Sequence, residues 1–76
     1  MCEIPFDKIM LREFRSLALL TDEEDNVLTE WALHKSNAHI GIILGIPERT
    51  VIRRIDSLRK KYDAVQIYSP LLPRRL

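Results

Sequence analysis

Three side chains near the middle of the chain, Arg49, Thr50 and Arg53, have the types and spacing to touch base-pair edges. An arginine presents paired N–H donors that match O6 and N7 of guanine, a fit that discriminates against other bases by about 1–3 kcal/mol. Arg49 and Arg53 are four residues apart and share one face of a helix. Lys60 and Lys61 lie too far along the same helix to follow the groove floor and suit phosphate oxygens instead. Ser36 and Asn37, where another helix begins, suit phosphates as well. Presented together from the start of one helix, these residue types would suit double-stranded DNA as the partner.

Other chemistry is poorly served. No nucleophile, base and oxyanion-binding group are spaced for catalysis, so the expectation is a protein that is not an enzyme. His34 and His39 have neither a cysteine nor a carboxylate pair nearby to complete a zinc site, and no cofactor is expected. The acidic run Asp22 to Asp25 lacks the alternating ligands and the glycine of a calcium loop. Cys2 has no second thiol and reads as incidental, and Trp31 falls at core spacing.

The elements that must carry the basic side chains follow from local signals. Pro5 suits the first turn of a helix over about 6–18, with Phe6, Ile9, Met10, Phe14 and Leu17 at helical spacing. Thr21 and Glu24 form a capping box for a second helix, with negative charge at the positive end of its dipole. Its stripe is Val27, Leu28, Trp31 and Ala32, and it ends near His34 and Lys35. Ser36 or Asn37 caps a short third helix that turns Ile40, Ile43 and Leu44 inward. Gly45 stops it. Pro47 opens the last helix, Glu48 to Tyr62, with the inner stripe Val51, Ile55, Leu58 and Tyr62.

On a wheel of that last helix, Arg49, Arg53, Asp56 and Lys60 oppose the stripe. Thr50, Arg54, Ser57 and Lys61 form one flank, and Ile52 and Arg59 the other. Beyond it Val65 to Tyr68 alternates like a short strand, and Pro70 and Pro73 forbid further helix. The fold expected over 1–76 is all-α and a single domain: an N-terminal helix in 1–20, a tri-helical core in 21–62 and an extended tail in 63–76.

Charge is divided along the 76 residues. Residues 1–35 hold four lysines and arginines against eight acids, whereas residues 36–76 hold eight against three. The basic half suits phosphates, and the acidic half faces away or meets a protein. The longest apolar run, Ile40 to Ile46, contains Gly41 and Gly45 and is far shorter than the roughly 20 residues of a membrane span. With Glu3 and Asp7 in place of a leader's positive charge, the expectation is a soluble cytoplasmic protein.

Gly41 and Gly45, four apart and followed by Ile46-Pro47, fit two helices crossing at roughly 90–120° across a turn of about three residues. Ile40 to Ile55, with Leu44-Gly45-Ile46-Pro47 and Thr50-Val51, resembles the helix-turn-helix of bacterial sigma-factor region four. Leu20-Thr21 before an acidic helix, then Ser36-Asn37 and Thr50-Val51, is similar to the DNA-binding domain of LuxR-type regulators. Thr50-Val51 with Arg53-Arg54-Ile55 and Leu58 resembles the winged-helix head of Lrp-type regulators. The resemblance, over 20–65, implies a transcriptional regulator reading the major groove, and adds Arg54 to the base-reading set. Two positions depart from these families: Ile52 stands where sigma and LuxR members commonly carry lysine, and His39 where they commonly carry glutamate.

Two other readings are open on the sequence. Residues 1–20 or 65–76 can dock a protein such as polymerase, another subunit or a second copy of the chain. The chain can also be the DNA-targeting module of a recombinase, transposase or phage packaging protein.

Overall fold

The computed structural model describes residues 2–75. Four helices follow in chain order: α1 (Lys8–Leu17), α2 (Asp22–Ala32), α3 (Asn37–Leu44) and α4 (Glu48–Val65). A single 3-10 turn, Gln66–Tyr68, continues from α4, and no strand occurs among the described residues. No helix among them is long and apolar enough to cross a membrane.

Local chemistry sets the helix starts. Asp7 caps α1 by accepting the Met10 N–H at 2.7 Å. The expected start near Phe6 is therefore too early, because Asp7 holds an extended backbone and the Phe6 N–H turns back to the Ile4 carbonyl. At α2 both halves of the capping box form, Glu24 N–H to Thr21 Oγ1 at 3.1 Å and Thr21 N–H to the Glu24 carboxylate at 3.0 Å. Ser36 caps α3 through the His39 N–H. Two left-handed residues end helices: His34 (φ 63°) just after α2, and Gly45 (φ 69°) after α3.

One apolar core runs through the chain. Met10, Phe14, Val27, Leu28, Trp31, Ile40, Val51, Ile55, Leu58 and Tyr62 are all buried, so the whole expected α4 stripe lies inside. Phe6, Phe14 and Tyr62 pack ring against ring at 5.6–5.8 Å between centroids, joining the N-terminal segment and α1 to the far end of α4. Trp31 meets the Phe6 ring edge-on.

Several expectations are corrected here. Ile9 and Leu17 lie outside the core, because α1 buries Met10 and Phe14 and half-buries Leu11 on its inner side, with Ala18 just beyond. Ile40 is buried and Leu44 half-buried against the core as expected, but Ile43 is 43% exposed, and Gly41 takes the inner side with Ile40. Cys2 is buried, donates to the Ile4 carbonyl at 3.3 Å and has its thiol pKa raised by desolvation, so it is a core residue rather than an incidental one. Val65 to Tyr68 is helical rather than a strand: α4 runs one turn past Tyr62, and only Ser69 returns to extended backbone, ahead of Pro70.

Candidate nucleic-acid interface

Helix α4 packs on α2 and on α3, which it meets at its own first turn. The crossing with α3 depends on Gly41. A Cβ there would stand 2.7 Å from the Ile46 carbonyl oxygen, 3.6 Å from the Glu48 nitrogen and 3.7 Å from a Val51 methyl. The turn thus lies directly on α3, with the Gly45 and Ile46 N–H groups both donating to the Gly41 carbonyl. Helix, tight turn and longer helix leave Arg49, Ile52 and Arg53 exposed on the first two turns of α4 while Val51 and Ile55 on the inner side are buried.

The cations of α4 divide into two groups. Arg49, Arg53 and Lys60 are exposed and form no ion pair or side-chain hydrogen bond among the described residues. They share the outer face with Asp56, opposite the buried stripe. Thr50 is half-buried beside them.

Arg54, Arg59 and Lys61 are engaged within the fold. Arg54 Nε donates to Glu23 Oε1 at 2.9 Å, which raises the Arg54 pKa. Lys61 Nζ donates to Glu24 Oε1 at 2.6 Å and to the Leu19 carbonyl at 3.1 Å. Arg59 bonds Glu3 and Asp56 and lies 5.5 Å from the centre of the Trp31 ring. The eight expected contact residues are therefore not equivalent: Arg49, Arg53 and Lys60 are unpaired, while Arg54 and Lys61 tie α4 to α2. At α3, the exposed Ser36 accepts a cap bond, and the half-buried Asn37 stands beside it at the helix start.

Sequence reasoning missed Glu24 as the organiser of this face. Its carboxylate accepts from the Thr21 backbone, from Lys61 and, at 2.6 Å, from Ser57 Oγ. The capping box signalled the first bond. The other two reach across more than thirty residues and have no local signature.

Burial works to raise the Glu24 pKa, but the bonds from Lys61, Ser57 and Thr21 outweigh it and hold the carboxyl at about 2, from an ordinary 4.5. A carboxylate depressed in the folded state adds stability that is full above about pH 4.5 and is lost as the pH falls towards 2. Replacing Glu24 by Gln is expected to cost roughly 1–3 kcal/mol at pH 7, as Lys61 loses its charged acceptor. It should also flatten the acid limb of a thermal-unfolding series. An acid limb as steep in Glu24→Gln as in the wild type would contradict this role.

Among the described residues no group of three or more histidine, cysteine, aspartate or glutamate side chains could hold a metal. No known protein family, curated protein or solved structure matches the chain.

Proposed function

We propose that the chain binds double-stranded DNA sequence-specifically by laying the first turns of α4 in the major groove, and that it serves as a cytoplasmic regulator of transcription. The observation that carries this reading is the unpaired set Arg49, Arg53 and Lys60 on the outer face of a helix presented across a tight turn. Cations left without internal partners keep their donors available for bases and phosphates, and the N-terminal part of such a helix is the part that meets base edges.

Titration of duplex DNA at several salt concentrations tests the reading. Each neutralised phosphate contributes about −0.9 to the slope of log K against log salt, so Lys60 alone predicts a slope on the order of −1 for one protomer, and every further phosphate contact steepens it. Failure to bind at low salt, or binding indifferent to salt, would overturn the proposal.

A protein contact through residues 65–76 is a second reading, favoured by the exposure of Ile67, Tyr68 and Leu71. Such a surface would serve a second copy of the chain or a polymerase subunit.

A further inference from the structure

Glu23 and Glu24 are neighbours at the start of α2, yet they do different work. Glu24 is buried and bonded to three partners, so it belongs to the packing of α4 on α2. Glu23 bonds one side chain, Arg54, and both members of that pair stand at the surface, with side chains 42% and 39% exposed. An ion pair this open contributes little to stability.

Its position is what gives it consequence. Arg54 lies one residue past Arg53, within the first two turns of the helix that carries the unpaired arginines. The Glu23 carboxylate accepts from Arg54 Nε, and the terminal guanidinium nitrogens have no partner among the described residues. A carboxylate and a DNA phosphate are alternative acceptors for the same planar fork of donors.

Resting on the DNA-reading proposal above, we infer that Glu23 is a specificity-determining residue: it occupies Arg54 in the free protein and yields it to a DNA phosphate only on a well-fitted duplex. On a poorly fitted duplex Arg54 stays on Glu23. The protein then meets the phosphates with one cation fewer, and with an uncompensated repulsion wherever the carboxylate faces the backbone. On a duplex that seats Arg49 and Arg53, Arg54 is brought within reach of a phosphate and the exchange proceeds. Glu23 thereby weakens indiscriminate binding more than it weakens specific binding.

The test compares the wild type, E23Q, Arg54→Ala and the E23Q/Arg54→Ala double variant, each titrated with a random-sequence duplex and with a duplex obtained by selection, between 50 and 200 mM salt. Glu23→Ala serves as a second replacement. Asp22→Asn is the control that removes an acid from the same helix start without releasing an arginine. Thermal unfolding confirms that each variant is folded.

E23Q is expected to steepen the salt slope on random duplex by about 0.9, equivalent to one further phosphate and about a threefold gain in affinity at the low-salt end. The ratio of selected to random affinity should fall. Arg54→Ala in the E23Q background should abolish the gain, and Asp22→Asn should leave the slope alone. An unchanged slope in E23Q, a gain that survives Arg54→Ala, or an equal gain in Asp22→Asn would overturn the role of Glu23 while leaving the DNA-reading proposal standing. A wild-type protein that binds neither duplex would overturn both.

Discussion

Replacing Gly41 by alanine is expected to destabilise the domain by about 2–3 kcal/mol, the upper part of the range for forcing a methyl into a packed site. The direction is what makes the substitution informative. In an ordinary helix interior, Gly→Ala gains up to about 1 kcal/mol because alanine restricts the unfolded chain and is the better helix former. Here the added Cβ would meet the Ile46 carbonyl oxygen at 2.7 Å, a backbone atom in a turn already bonded to Gly41 itself. The turn cannot yield without moving the start of α4, because Pro47 follows at once. For a domain of this size the loss corresponds to a melting temperature lower by roughly 10–20 °C. A melting temperature equal to or above that of the wild type would show that α3 and the turn are not in close contact.

The starts of α2, α3 and α4 were legible because their boundary signals are local, whereas Pro5 misplaced the start of α1, which Asp7 caps. Thr21 with Glu24, Ser36, Gly45 and Pro47 each act within a few residues, and each marks the boundary expected of it. The core stripe of α4 was legible for a related reason: Val51, Ile55, Leu58 and Tyr62 repeat with the helix period, and all four are buried. Such signals survive without knowledge of the tertiary fold.

Elsewhere the outcome turned on partners distant in sequence. Val65 to Tyr68 has the alternation of a strand, but no second strand exists among the described residues to pair with it, and the helix already in place simply continues. Cys2 looked incidental because the N-terminal segment carries no periodicity, yet Cys2 and Ile4 are both buried in the common core. The charged side chains of α4 were the least legible. A helical wheel placed Arg54 and Lys61 on a flank, but which acid covers that flank depends on how α2 crosses beneath it. Glu23 and Glu24 precede their partners by 31 and 37 residues.

Assigning the free cations leads to the second large effect. Arg53 and Lys60 are both exposed and unpaired on one face of α4, but Arg53 lies on its second turn and Lys60 about two turns further on. On the proposed function Arg53 reads a guanine edge, and its loss should cost about 1–3 kcal/mol on a selected duplex, roughly 5- to 150-fold in affinity. Its loss should also relax base preference at one position. On the same proposal Lys60 contacts a phosphate. Removing it should weaken all duplexes by a similar factor and lower the salt slope by about one.

The decisive measurement is therefore the binding of Arg53→Ala and Lys60→Ala to a selected duplex and to single-base variants of it, each across a range of salt. The expected result is a split: Arg53→Ala loses discrimination at one base pair, whereas Lys60→Ala keeps every preference and loses affinity and salt dependence uniformly. Identical behaviour of the two variants, or affinity unchanged in both, would contradict the assignment of α4 as the helix that reads DNA.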